Sequence, residues 1–255
     1  MVTERWIDLE GLANARDLGG LPTVDGRTTR SGVLLRTDTV QLLTPADVAW
    51  LRNVYGLRTV LDLRTPKEAA SEGRGALALE AVGYHNIPFV PDQYIDPSDP
   101  RHEVLVRNRG GDRQSRDYLD YLTRGGNVAR ALRLVASGTA TPLLFHCAAG
   151  KDRTGVLAAL ALDLVGVERS AIVDDYLATN TRLPRVLARF AAMPTYAGAV
   201  SAGASGPPRD ISCRPETLPK LFDALDEQFG GTAGWARSAG ISDAELTRLR
   251  ELLVG

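Results

Sequence analysis

Apolar and polar positions along this chain follow two alternating rhythms. Short unbroken apolar runs bounded by turn residues are separated by stretches with helical spacing, and that succession predicts an α/β fold, a mostly parallel sheet covered by helices. Gly32-Val33-Leu34-Leu35-Arg36 reads as one strand and Thr59-Val60-Leu61-Asp62-Leu63 as a second, buried one. His85-Asn86-Ile87-Pro88-Phe89 reads as a third, and Pro88, with no N–H to give to a neighbour, suggests an edge position. A fourth apolar run begins at Pro142.

The helical pattern is punctuated by caps. Thr44 precedes Pro45 and Asp47, Val48, Leu51 and Val54 make an apolar stripe, and Gly56 ends the helix. Thr65-Pro66-Lys67-Glu68 opens a short helix by the same device. Residues 91–113, rich in Pro, Asp and Arg, read as a loop. Tyr118, Leu119 and Leu122 start a helical stretch that Gly125-Gly126 interrupts and Val128 to Val135 continues. Val156 to Val165 is apolar on nearly every face, which predicts a buried central helix closed by Gly166. Ser170 to Thr179 turns Ile172, Val173, Tyr176 and Leu177 inward and Asp174 to solvent; Asp175 is open to either reading.

Leu183 to Met193 is amphipathic, and Ala197 to Pro208 is small-residue, low-complexity sequence not expected to hold one conformation. Pro215 starts a helix through Leu218, Leu221, Phe222 and Leu225, which Gly230-Gly231 breaks. Ser242 with Glu245 forms a capping box for a last helix, Asp243 to Leu253. With no repeat and no clear linker, residues 1–255 are expected to form one domain.

The chemistry concentrates after the fourth strand, in His146-Cys147-Ala148-Ala149-Gly150-Lys151-Asp152-Arg153-Thr154-Gly155. A strand, a tight Gly-containing loop and a helix opening at Thr154 would gather unpaired amides into an anion site. The same field favours a thiolate at Cys147. Cys147 is then a nucleophile for phosphorus, and Arg153 a bidentate fork for phosphate oxygens. Ala148, Ala149, Gly150 and Lys151 supply cradle amides, and Thr154 could reach the Cys147 sulfur. His146 is expected to orient the loop through hydrogen bonds. A nucleotide-binding loop is excluded: Phe145 stands where its first Gly is needed, and Asp152 follows Lys151 where it needs Ser or Thr. Two other classes remain as alternatives, a catalytically inactive phosphate-binding module and, more remotely, a rhodanese-like sulfurtransferase.

The run H-C-x-x-G-K-D-R-T-G resembles the signature of cysteine-dependent protein-tyrosine phosphatases. More narrowly, it resembles that of the bacterial tyrosine/lipid phosphatase family of the secreted mycobacterial type. Asn14-Ala15-Arg16-Asp17-Leu18-Gly19-Gly20, Leu35-Arg36-Thr37 with Leu42-Leu43-Thr44, Leu61-Asp62-Leu63-Arg64, Asp175-Tyr176-Leu177-Ala178-Thr179-Asn180 and Gly240-Ile241-Ser242 resemble further blocks of that family. Residues 190–212 match least. The resemblance implies a protein-tyrosine-phosphatase-like fold of the dual-specificity type with a helical lid insertion, here 183–213. It also implies hydrolysis of phosphotyrosine, with phosphoserine/threonine and phosphoinositides as further candidate substrates, through a phospho-cysteine, with no cofactor.

The leaving oxygen needs a proton, and no Trp-Pro-Asp loop is present to deliver it. The resemblance favours Asp152 as that acid; the residues alone leave it equally free to brace the loop. Asp62 is the rival, and Asp92 and Asp96 are weaker candidates. Lys151, with Lys67 and Lys220 one of three lysines among 30 Lys and Arg, reads either as a rim cation favouring substrates with more than one phosphate or as a solvated lysine.

Composition excludes more than it assigns. A net charge of −1 gives no field for nucleic acid. His85, His102 and His146 lack metal-ligand spacing, so no metal is expected. Two cysteines make no disulfide framework, and neither a signal segment nor an 18-residue apolar run is visible. The expectation is a cytoplasmic protein, or one exported without a signal of this kind; oligomeric state is not legible.

Overall fold

The computed structural model describes residues 5–90, 113–123, 126–201 and 211–255. The polar stretch 91–112 with Asp92 and Asp96, Gly125, and residues 202–210 of the small-residue stretch lie outside the described residues. In chain order the elements begin with β1 (Arg16–Asp17), β2 (Leu34–Thr37), α1 (Pro45–Asn53), β3 (Thr59–Asp62), α2 (Pro66–Glu72) and β4 (Gly83–Asn86). They continue with α3 (Arg113–Thr123), α4 (Asn127–Ala136), β5 (Leu143–His146), α5 (Asp152–Leu164) and α6 (Arg169–Ala178). Then come α7 (Leu183–Phe190), α8 (Pro194–Ser201), α9 (Thr217–Phe229), α10 (Thr232–Ser238) and α11 (Asp243–Leu253).

The caps act where the sequence places them. Thr44, Thr65 and Ser242 each accept from the third helical amide while the residue there, Asp47, Glu68 or Glu245, accepts from the cap's own amide. Each cap is worth about 1 kcal/mol, and at Thr65 it also aims Glu68 toward the centre of the molecule.

The sheet order is β1-β2-β5-β3-β4. β2, β5, β3 and β4 are parallel, and β1 is antiparallel to β2. β5 is therefore the central strand, in register with Leu34–Thr37 on one side and Thr59–Asp62 on the other. Period-two alternation sends Leu34, Leu61, Leu143 and Phe145 to a core built on α5, and Leu35, Val60 and Leu144 to a second core with Leu12, Val48 and Leu51. Both faces are covered, as a parallel sheet requires. α5 is buried continuously from Thr154 to Leu162, the central helix its all-round apolar pattern predicts.

Several expectations shift. β4 spans Gly83–Asn86 instead of 85–89, because Pro88 lacks the N–H for the ladder; Ile87 and Phe89 go into the core. β4 lies at the sheet edge, as Pro88 suggests. Val54 caps α1 and is 69% exposed, so it leaves the stripe. α3 starts at Arg113, ahead of its first apolar residue, with Gln114 and Ser115 making polar contacts. α5 begins at Asp152, two residues before Thr154. The stretch from Leu183 ends as α7 at Phe190, short of Met193. Pro194 opens α8, which carries 197–201 of the small-residue stretch into a helix against the expectation of no fixed conformation, since Ala favours helix. α9 starts at Thr217, past Pro215. α10, with buried Trp235, was hidden between the Gly pair and the last cap. Asp174 is exposed, but Asp175 is buried and ionically paired.

Candidate active site

Cys147 follows the last residue of the central strand and α5 starts five residues later, so the connecting loop sits at the C-terminal edge of the parallel sheet. Three of its carbonyls are drawn outward. Thr39 N–H donates to Ala148 O (3.0 Å), Asn14 Nδ2 to Ala149 O (3.0 Å) and Gly150 O (3.3 Å), and Arg36 Nη2 to Gly150 O (2.8 Å). In a trans peptide the N–H opposes the C=O, so the amides of Ala149, Gly150 and Lys151 point the other way. Among the described residues no backbone carbonyl takes them up. An anion cradle is thus built by pinning its back. Gly150 is obligatory: its φ is +68°, and a Cβ there would lie 2.5 Å from Thr37 O.

The pins are themselves anchored by Asp175 on α6. Its Oδ2 accepts from Arg36 Nη1 (2.6 Å), and its Oδ1 from Arg16 Nε (3.0 Å) and Arg5 Nη1 (2.7 Å). Arg16 Nη1 donates to Asn14 Oδ1 (2.6 Å), while Asp38 Oδ1 accepts the Asn14 amide (2.8 Å). Burial opposes the Asp175 charge, but the arginines prevail and hold it well below the usual carboxylate range. The blocks Asn14–Gly20, Leu35–Thr37 and Asp175–Asn180, distant in sequence, therefore meet behind the loop.

Arg153 lies in the first turn of α5 and is forked onto Glu68 of α2, Nη1 to Oε2 at 2.6 Å and Nη2 to Oε1 at 3.0 Å. Burial opposes the guanidinium charge; Glu68 and Cys147 outweigh it, so Arg153 stays cationic. Cys147 is a free thiol, 2% exposed at the strand end.

Asp152 is engaged by α3 through one of its oxygens. Its Oδ1 accepts from Gln114 Nε2 and Tyr118 OH, both at 2.8 Å, with Lys151 Nζ at 3.5 Å. Burial raises its pKa, but Lys151, the two hydrogen bonds and Arg153 bring it below the usual carboxylate range. Its side chain is 37% exposed, so it remains open to solvent. Lys151 is neither a rim cation nor solvated. It is buried, donating to Ile211 O at 2.6 Å.

Thr154 Oγ1 is buried with no hydrogen-bond partner among the described residues, so the expected hydrogen bond to the Cys147 sulfur is not formed. His146 Nδ1 lies 3.0 Å from Cys147 O, the partner it would need to brace the loop, and burial lowers its pKa to about 4. Asp62 is locked: Arg64 forks it within the buried sheet end and Tyr84 OH donates at 2.8 Å. Burial raises the Asp62 pKa, yet His146 and Arg64 hold it far below the ordinary range, which leaves it no proton to give.

α7 and α8 lie over the loop. Ala148 packs with Met193 and Tyr196, Phe190 stacks on Tyr196 at 4.7 Å between ring centroids, and Tyr196 OH donates to Glu68 Oε1 at 3.0 Å. Arg189 reaches back to Gly11 O and to Asp38, 3.4 Å away. Sequence reading passed over Glu68, Gln114 and the hydroxyls of Tyr118 and Tyr196. For Glu68 a signal existed, since a capping-box carboxylate has a second oxygen free. Arg16 and Arg36, charges inside strand-like runs, likewise demanded a buried partner. Among the described residues no group of three His, Cys, Asp or Glu could hold a metal, and no helix is long and apolar enough to cross a membrane.

Residues 7–255 match the family described as the tyrosine phosphatase family. The chain is 32% identical to the triple specificity protein phosphatase PtpB of Mycobacterium tuberculosis, over 97% of this chain and 99% of that protein. It is also 32% identical to a Cupriavidus necator protein provisionally named a tyrosine-protein phosphatase (89% and 81% covered). A tyrosine-protein phosphatase of Nostoc commune is 27% identical (85% and 72%). This chain belongs to the tyrosine phosphatase family.

Proposed function

We propose that the chain hydrolyses phosphotyrosine with Cys147 as nucleophile, Arg153 as phosphate fork and Asp152 as proton donor. The observation that carries this reading is the convergence of inward amides, Cys147 and the Glu68-held Arg153 on one loop at the end of the central strand. Cys147 Sγ attacks phosphorus as the tyrosyl oxygen leaves; the amides and Arg153 take the charge of the equatorial oxygens. Water then attacks the phospho-cysteine, releasing phosphate and restoring the thiolate. The negative charge of a bound phosphate beside Asp152 raises its proton affinity, so that the carboxyl can enter the first step protonated.

With Asp62 locked, Asp152 is the better placed of the two candidate acids among the described residues. The triple specificity of the mycobacterial relative supports assaying phosphoserine, phosphothreonine and phosphoinositides as well. Lys151, turned onto Ile211 O, offers no second cation to a polyphosphate, so phosphotyrosine comes first. Residues 1–255 act as a single catalytic unit in this reading. Within the 183–213 insertion, α7 and α8 serve as a cover whose latch is Tyr196 on Glu68, and their contact with Ala148 supports this.

The test is a panel of phosphotyrosine peptide, phosphoserine/threonine peptides and phosphoinositide with wild type and Cys147→Ser. Phosphotyrosine turnover lost in the variant, with phosphate still bound, is expected. Phosphate binding without turnover in wild type would support an inactive module, and sulfur transfer from thiosulfate the remote alternative.

A further inference from the structure

Gln114 and Tyr118 stand one turn apart on α3, and both donate to the same oxygen of Asp152, each at 2.8 Å. Each donor is itself oriented. Gln114 Oε1 lies 3.3 Å from Thr217 Oγ1, which donates to it and fixes the amide so that Nε2 faces Asp152. Tyr118 OH is also 2.8 Å from Tyr176 OH. An ionised carboxylate only accepts, so the Tyr118 hydrogen is committed to Asp152 and Tyr118 oxygen accepts from Tyr176. The result is a directed chain, Tyr176 to Tyr118 to Asp152, that ends on Oδ1. With Lys151 Nζ at 3.5 Å from the same atom, Oδ1 is saturated, while no donor engages Oδ2 among the described residues.

We propose that Tyr118 and Gln114 are positioning residues for the phosphatase reaction: by loading Oδ1 of Asp152 they leave Oδ2 as the one oxygen through which this carboxyl moves protons. This rests on Asp152 being the proton donor. In the first step the S–P bond forms and the P–O bond to the leaving group breaks, and the Oδ2 proton passes to the leaving oxygen. In the second step water forms the new P–O bond, its proton goes to Oδ2, and the S–P bond returns its electrons to Cys147. Oδ1 carries no proton in either step. The donors therefore do two things: they keep the carboxyl from rotating, and they tune how tightly it holds its proton.

The groups that face Asp152 are Lys151 and Arg153 on its own stretch, Tyr118 and Tyr121 of α3, Tyr176 of α6, and Cys213. The tyrosines are held protonated by burial and by Asp152 itself, and burial pushes the Cys213 thiol to about 11. None of these four changes charge between pH 5 and 8, so none of them adds a limb of its own there to the profile.

The test is the pH profile of kcat/KM for aryl phosphates of graded leaving-group basicity, with wild type, Tyr118→Phe, Gln114→Leu and Asp152→Asn, and with Tyr118→Phe combined with Asp152→Asn. Tyr118→Phe should lower kcat about 10-fold with KM little changed, and more for basic leaving groups than for nitrophenolate. Its descending limb should move to higher pH, because one stabiliser of the carboxylate is gone. Gln114→Leu should do the same from a more exposed position, which covers the case of a Tyr118 variant that does not fold. In the Asp152→Asn background Tyr118→Phe should have no further effect. A limb abolished by Asp152→Asn yet unmoved by both α3 variants would overturn the positioning alone. A profile that Asp152→Asn leaves intact would overturn the acid assignment and the positioning with it.

Discussion

Glu68 shows at single-residue scale how a structural and a functional task share one side chain. Its Oε2 accepts the Thr65 amide at 2.8 Å as part of a capping box and the Arg153 Nη1 at 2.6 Å, and Oε1 takes Arg153 Nη2 and Tyr196 OH. Burial works against its charge, but Arg153 more than compensates and keeps it ionised. Glu68→Gln retains a capping-box side chain yet loses the ion pair. With buried Arg153 left without its counter-charge, it should cost about 3 kcal/mol or more in unfolding free energy and cut kcat/KM about 10²-fold through a misplaced fork; an unchanged kcat/KM in the folded variant would mean that Arg153 needs no such support. The cap at Thr65 was legible from Thr-Pro-Lys-Glu, because capping is local. That the same carboxylate meets Arg153, 85 positions away, was not, because only folding brings α2 against the start of α5.

At the scale of elements, the loop after β5 is held from outside rather than by its own bonds. Gly150→Ala places a Cβ against Thr37 O and strains a left-handed backbone. Loss of phosphate binding is expected even where circular dichroism shows a folded chain; retained binding would contradict the pinned cradle. Asp175 is the anchor of the pins, and Asp175→Asn leaves buried Arg16 and Arg36 uncompensated, at a cost of about 3–5 kcal/mol in denaturant unfolding. A loss below about 1 kcal/mol would show that the arginines find other partners. The elements themselves were largely legible: the central strand, the buried α5 and the caps follow from periodicity and from local hydrogen bonding. β1 and α10 were not, since two and seven residues are too few for a pattern to declare itself. Asp175 could be read either way, because helical spacing marks a face but not the charges another segment brings to it.

Across the whole molecule, both cores and the site depend on one strand, β5, and its last residue ties pH to stability. Burial lowers the His146 pKa to about 4, against about 6.5 in an unfolded chain. Above about pH 6.5 both states are neutral and the stability is complete. As pH falls toward 4 the unfolded chain gains a proton that the folded one refuses, and up to about 3 kcal/mol is lost. Unfolding free energy should therefore drop between pH 7 and 5. His146→Asn, which can still offer a donor to Cys147 O, should flatten that drop; an equal slope in the variant would rule out the buried neutral imidazole. The architecture was legible as a parallel sheet with helices on both faces, and the nucleophile and fork as a local motif. What joins them, the Asp175 anchor and the α3 donors to Asp152, is assembled from segments far apart in sequence. The central claim is that the reaction runs through a phospho-cysteine on this loop. Rapid denaturing quench at alkaline pH with an aryl phosphate, followed by peptide mass analysis, tests it most directly. One phosphoryl group on the Cys147 peptide, absent in Cys147→Ser, is the predicted result; full turnover by Cys147→Ser, or a phosphoryl group on another residue, would contradict it.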